Sequence, residues 1–200
     1  MAFTFKIKIK GSAKPPIWRK VKVNESISFD DFHNVIQILF GWENCHMYQF
    51  SPRGWGSNPR IMCIFDDDEE VETRRLSNPN TFPFGERYNA KKIMLRNGFL
   101  QLKQKMVYIY DFGDEWTHII ELVEITDEVI LHPICISGKG SDLEEDCGGI
   151  GGFYYMVDAI NDPKHPEHKE YREWLGMERG EKWDLNAFDL EGTNKVLRKV

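Results

Sequence analysis

Four stretches of this chain carry a pattern of apolar and polar positions regular enough to predict an element. Residues 3–10 alternate strictly, with Phe3, Phe5, Ile7 and Ile9 on one face and Thr4, Lys6, Lys8 and Lys10 on the other. That period of two marks a half-buried strand. After a turn over residues 11–16 the extended pattern resumes through 17–23, so the N-terminus predicts two basic strands. Lysines on the outer face of an edge strand discourage pairing with other chains, and that is the plain reading of this segment. Ser28-Phe29-Asp30-Asp31 matches a capping box, and Phe29, Phe32, Val35, Ile36, Leu39 and Phe40 follow at helical spacing before Gly41. This predicts an amphipathic helix with a glycine stop.

Residues 46–50 and 61–65 read as short strands separated by a loop that exposes Trp55, and residues 66–90 read as polar and irregular. Residues 105–111 and 115–125 alternate on either side of Phe112-Gly113-Asp114. A glycine in a short connection between two strong β runs predicts a hairpin. Residues 130–136 add a further strand. Gly148 to Gly152 then leads into a helix that ends before Pro163, Pro166 starts a second that stops at Gly176, and Asp189 caps a third carrying Leu190, Val196 and Leu197. Strands and helices are segregated along the chain, which predicts the α+β class. The expected architecture is one domain over 1–200, with a mixed or largely antiparallel sheet of five or six strands. A helix follows the first strand pair, residues 1–136 are sheet-rich, and 148–200 form a helical C-terminal third.

Composition sharpens this outline. Hydrophobic residues make up 41% and aromatics 13% of the chain, enough for a sizeable core. No apolar run approaches the roughly 18 residues a membrane helix needs, and the N-terminus lacks the apolar segment of a signal peptide. Cys45, Cys63, Cys135 and Cys147 show no paired spacing, so a reduced, cytoplasmic protein without membrane association is expected. A net charge of −6 argues against bulk attraction to nucleic acid. The charge is uneven, however: residues 1–23 are basic without a single acid, whereas 66–72 and 142–146 are acidic. Lys6, Lys8, Lys10, Arg19 and Lys20, helped by Trp18 and Trp55, are therefore the candidates for nucleic-acid contact.

The densest candidate chemistry is Asp111, Asp114, Glu115 and His118 around the hairpin turn. Carboxylates beside an imidazole can hold a divalent metal or exchange protons. The plainer account has the acids shaping the turn and His118 serving as a sheet residue. Asp111-Phe112-Gly113 is not a kinase motif, because the glycine loop, its lysine and the catalytic loop are all absent. His46, His132 and the cysteines lack the paired local spacing of a zinc site, so no metal or other cofactor is assigned. Gly148 to Gly152 could form a nest of amides for an anion, but it lacks the lysine and hydroxyl residue that end a phosphate loop, and the acids before it repel phosphate.

Several segments together resemble the plasmid pRiA4b third-open-reading-frame-like family. They are Pro16-Ile17-Trp18-Arg19, Gly41-Trp42 with His46-Met47-Tyr48-Gln49-Phe50, and Tyr110-Asp111-Phe112-Gly113-Asp114-Glu115-Trp116-Thr117-His118. Glu145-Asp146-Cys147-Gly148-Gly149, Asp162 to His168, Glu173 to Gly176 and Phe188-Asp189 continue the series, so the resemblance runs over 16–190. It implies occurrence on plasmids and mobile elements and no secure activity. One branch of the family carries a resolvase label, yet no arginine cluster surrounds any Ser or Tyr here, so recombinase chemistry is not supported. Many relatives place Cys-Pro-Pro where this chain has Asp142-Leu143-Glu144. The resemblance implies a binding surface on the hairpin and the 145–149 loop, using Tyr110, Asp111, Asp114, Trp116, His118, His46, Asp146, Gly148 and Gly149. The leading expectation is a non-enzymatic binding module for another protein or a nucleic acid, with no catalytic residues. The alternatives are a nucleic-acid-binding accessory protein and a metal-assisted hydrolase at Asp111, Asp114 and His118.

Overall fold

The structure, a computed structural model, describes residues 1–64 and 87–200. The acidic run 66–72 and most of the segment expected to be irregular lie outside those residues. The described chain is α+β, with an eight-stranded mixed sheet and five helices. Its strands are β1 (Ala2–Ile9), β2 (Trp18–Asn24), β3 (Tyr48–Ser51), β4 (Arg60–Met62), β5 (Arg87–Asn89), β6 (Lys105–Tyr110), β7 (Trp116–Thr126) and β8 (Ile134–Lys139). They lie in the order β5-β4-β3-β6-β7-β1-β2-β8. Only β4 and β5 run parallel; every other neighbouring pair is antiparallel.

Helix α1 (Phe29–Phe40) begins as its sequence predicts. Ser28 Oγ accepts from the Asp31 amide, the Asp31 carboxylate accepts from the Ser28 amide, and Gly41 closes the helix at φ 79°. Its apolar face packs on the sheet through an aromatic cluster. Phe5 meets Phe32 at 4.9 Å and Phe99 at 4.7 Å between ring centroids, and Phe29 meets Phe50 at 5.0 Å. Aromatic pairs at such distances add about 0.5–1.5 kcal/mol each beyond their buried area. The short helix α2 (Leu95–Gly98) supports one end of this cluster, because Gly98 leaves room for the Phe29 ring, which an added Cβ would approach to 2.5 Å.

Two expectations about the N-terminal strands are overturned. β1 is not an edge strand: it pairs with β2 on one side and β7 on the other, and the sheet's edges are β5 and β8. Its lysines are exposed because this face of the sheet is open to solvent. There they alternate with acids, since Lys6 lies opposite Glu121, Lys105 pairs with Glu121 at 3.2 Å and Lys22 with Glu128 at 2.7 Å. Arg19 is not a surface residue at all. It occupies an inward position of β2, between half-buried Trp18 and Lys20 neighbours, and is fully buried. Its guanidinium donates to the carbonyls of Leu39, Lys139 and Ser141 and to Asp142 Oδ1, and stacks over Phe188 at 3.8 Å. Burial lowers its pKa and Asp142 opposes that shift. Arg19 is thus a tie between β2, α1 and the chain after β8, and it cannot contact nucleic acid.

Beyond the sheet come α3 (Gly149–Asn161), α4 (His168–Trp174) and α5 (Leu190–Leu197), with an irregular stretch over 175–189. The expected strand over 130–136 begins only at Ile134 and extends to Lys139. Asn194 of α5 covers the outer edge of β8: its side-chain amide accepts from the Cys135 N–H and donates to the Cys135 carbonyl, each at 2.9 Å. That amide occupies the place of a neighbouring strand and blunts the edge. Among the described residues no helix is long and apolar enough to cross a membrane.

Candidate functional site

The β6–β7 hairpin carries the site, and strand parity divides its residues. On β7, Trp116, His118, Ile120 and Leu122 all point inward. His118 is therefore fully buried, between Phe40 and Tyr108 at 5.0 Å from each ring. Its Nδ1 donates to the Trp116 carbonyl at 2.8 Å, and burial pulls its pKa down to about 3. An imidazole in that position is neutral and out of reach of the turn. The expected grouping of Asp111, Asp114 and His118 does not form. Trp116 shares the interior, its ring tilted against Trp42 at 4.7 Å, and belongs to the core and not to a binding surface.

The turn itself faces a different histidine. Asp111 adopts φ 56°, a left-handed conformation that Asp tolerates better than most residues, and Glu115 adopts φ 53°. The Asp111 amide donates to the Met47 carbonyl, so the turn is registered on the segment leading into β3. That segment places His46 over the cleft. Its Nε2 lies 3.7 Å from Asp111 Oδ2, 3.5 Å from Glu145 Oε2 and 3.3 Å from Asp146 Oδ1. The ligand atoms of His46, Asp111 and Asp146 all fall within 4.8 Å of one another.

The 144–149 loop is locked onto the turn by backbone chemistry. Asp114 Oδ2 accepts from the Gly148 amide at 2.9 Å. Gly149, at φ 67°, lies so close that a Cβ would strike the Asp114 carbonyl oxygen. Asp146 is a second site residue held at positive φ, here 56°. Strained backbone of this kind, at two of the four convergent residues, is the pattern functional sites show. Gly148 and Gly149 therefore act by fitting the loop to the turn, and the glycine run forms the cap and first turn of α3.

Each inner carboxylate commits one oxygen to the protein and turns the other toward His46. Asp111 Oδ1 accepts from the Gly113 amide at 2.8 Å. Glu145 Oε1 accepts from the Glu43 amide at 2.7 Å and from the Tyr110 hydroxyl at 2.8 Å. Tyr110 in turn accepts from the Cys45 amide at 2.9 Å, and its pKa is raised by burial and by the Glu145 contact. A second layer stiffens the cleft wall. His33 stacks on Tyr48 at 3.7 Å, accepts from the Tyr108 hydroxyl at Nδ1 and donates from Nε2 to Asn44, whose own amide donates to Asn34. This chain fixes the tautomer of His33, and burial holds its pKa at about 4.

The electrostatics are one-sided. Among the described residues, His46 is the one basic side chain within 4.0 Å of the Asp111, Glu145 and Asp146 carboxylates, and it is charged only when protonated. The neighbouring Glu144 carboxyl is pushed up by burial and then by Glu43, Glu145 and Asp146, and the Cys147 thiol is raised to about 12 by burial and then Asp114. Sequence reasoning named His46, Asp111, Asp114, Asp146 and Tyr110 but saw Glu145 only as a loop boundary. Its signal was the acidic run beside glycines. What the sequence could not supply was the pairing of that run with the 111–115 turn.

Fold and site together describe an α+β protein whose central hairpin turn and a glycine-rich loop enclose an acidic cleft around one imidazole. The chain belongs to the plasmid pRiA4b ORF-3-like protein family, whose model matches residues 1–192. It is 27% identical over 194 residues to the uncharacterized protein y4hQ of Sinorhizobium fredii, covering 92% of this chain and 84% of that one. Among solved structures it is similar to MM3350, a protein of unknown function from Methanosarcina mazei Go1. The TM-score is 0.71 at 27% identity, over 96% of each chain.

Proposed function

We propose that this protein is a non-enzymatic binding module whose binding surface is the cleft between turn 111–115 and loop 144–149, and that its ligand is positively charged. The observation that carries this reading is the convergence of Asp111, Glu145 and Asp146 on His46 without a lysine or arginine ion pair among the described residues. Carboxylates crowded this way either take up a proton or bind a cation. A recess lined by His33, Asn44, Cys45, His46, Tyr48 and Lys91 opens beside the His46 ring. The hydrolase alternative required His118 beside the turn acids, and its burial removes the support. The nucleic-acid alternative retains exposed Lys6, Lys8 and Lys10, but glutamates interleave with them across the open face, and the acidic cleft repels phosphate. The family resemblance also supports a place among plasmid and mobile-element passengers.

The test is thermal unfolding of the full chain at constant ionic strength with two sets of cations, arginine methyl ester and divalent metal chlorides. A ligand at a hundred times its Kd stabilises by about 2.7 kcal/mol. Stabilisation by either set, lost in the Asp111→Asn/Asp146→Asn double variant, is the expected result. If no cation shifts the transition, or the double variant responds equally, the cleft is not a binding site.

A further inference from the structure

The geometry points to a mononuclear site for a divalent first-row transition ion in this cleft, with His46 Nε2 as the nitrogen ligand, Asp111 and Asp146 supplying oxygens, and Glu145 beside them. This inference rests on the cation-binding reading above and narrows it to one chemical class.

Three independent features carry it. The first is the state of His46 Nε2, which is sealed from solvent and has no hydrogen-bond partner. A buried polar atom without a partner costs about 1–3 kcal/mol, so natural proteins seldom leave one. This one lies 3.3, 3.5 and 3.7 Å from three carboxylate oxygens, with none of them in hydrogen-bond geometry. The second is the spacing itself. Metal–ligand bonds of about 2.0–2.2 Å set ligand atoms at the corners of a tetrahedron whose edges are about 3.3–3.6 Å long. The observed separations from Nε2 are 3.3, 3.5 and 3.7 Å. The Asp111–Asp146 edge lies within the 4.8 Å span of the group, and the Asp146 side chain is largely exposed.

The third feature is the outer shell. Metal-binding carboxylates are held by hydrogen bonds to their other oxygen. Here the Gly113 amide holds Asp111, and the Glu43 amide and Tyr110 hydroxyl hold Glu145, each leaving the second oxygen free toward His46. An organic ammonium or guanidinium asks for acceptors spread around a larger group, not for a buried nitrogen acceptor. An imidazole nitrogen with carboxylate oxygens favours zinc, iron, cobalt, nickel or manganese over magnesium and calcium, which prefer all-oxygen shells.

The experiment uses the full chain stripped with chelator, titrated with zinc chloride by calorimetry and with cobalt chloride by visible absorption. One equivalent of each ion should bind, with a cobalt d–d band showing nitrogen and oxygen ligation, and millimolar magnesium should not displace it. His46→Ala should weaken zinc by on the order of 100-fold or more, above the 10–100-fold expected for an outer-shell change such as Tyr110→Phe. Should His46→Ala fail to fold by circular dichroism, Asp146→Asn, whose side chain is largely exposed, takes its place, and the imidazole signature of the wild-type cobalt spectrum gives a second readout. Zinc binding that ignores both variants places the ion elsewhere and overturns the inference. Stabilisation by arginine methyl ester with no bound zinc or cobalt also overturns it while leaving the cation-binding cleft intact. Binding of neither class removes both.

Discussion

His118 and His46 sit on opposite sides of one aromatic wall, and their surroundings could hardly differ more. Around His118 stand Phe40, Tyr108 and Trp42, with no carboxylate at hand, and the ring is neutral and sealed. Around His46 stand three carboxylates and the Tyr110 ring at 5.8 Å. The backbone decides which histidine meets the acids. His118 is two residues into a strand whose inward positions include Trp116, so it must enter the core, whereas Asp111 and Glu115 adopt positive φ in the turn, where Asp111 faces His46. The difference teaches that a cluster in sequence is not a cluster in space when a strand's alternation runs through it. Under the function proposed above, it separates two tasks, stability on the His118 side and binding on the His46 side.

The largest effect expected from that division is on the core. Trp116→Ala empties a fully buried volume beside Trp42 and Phe153 and should cost about 3–5 kcal/mol in urea unfolding. A loss below about 1 kcal/mol would mean the aromatic wall is not the stabilising layer.

Acid should act through two buried histidines, His118 in the core and His33 in the cleft wall. The folded pKa of His118 is about 3 and that of His33 about 4, both below the ordinary 6.5. Between pH 6.5 and 4 the unfolded chain binds protons at both rings that the folded chain refuses. Stability therefore falls as pH drops through that window and is indifferent to these two groups above it. Each histidine contributes a slope of about 1.4 kcal/mol per pH unit at most. His118→Met should remove about half of the combined slope in chemical unfolding measured from pH 7 to 4. An unchanged slope would show that His118 does not titrate with unfolding.

Much of the fold could be read from periodicity because the strongest patterns were local. The Ser28 capping box, the 3–4 spacing of α1 and the alternation of β1 each declare themselves within a dozen residues, and the β6–β7 hairpin within residues 105–126. Strand order did not, since nothing in residues 3–10 says that β1 receives β7 as well as β2. The buried Arg19 followed the same rule of alternation as Val21 and Val23, but its charge masked the inward parity. The candidate site was half legible. His46, Asp111 and Asp146 stood out as polar residues in recurrent motifs, yet they lie far apart in sequence, and only the docking of loop 144–149 on turn 111–115 joins them.

That docking can be broken without touching a ligand atom. Gly149→Ala puts a methyl group against the Asp114 carbonyl at a φ of 67° that alanine resists. The expected cost is about 1–3 kcal/mol from strain and overpacking, together with weaker cation binding because Asp146 and Glu145 move with the loop. Retained stability with retained binding would show that loop and turn are coupled less tightly than the Gly148–Asp114 hydrogen bond implies.

The smallest effect in stability is the most discriminating. Asp146 is largely exposed and, among the described residues, lies within salt-bridge distance of His46 alone, so Asp146→Asn removes a repulsive neighbour of Asp111 and Glu145 at little structural cost. Without added cations the variant should match or exceed the wild type by no more than about 0.5 kcal/mol. With saturating zinc the order should reverse, because the wild type gains the binding energy and the variant loses most of it. A residue kept for the fold would lower stability in both conditions. Reversal of the ranking on adding metal is the signature of a side chain retained for its ligand, and it would set the His46 side of the wall apart from the His118 side in one pair of melting curves.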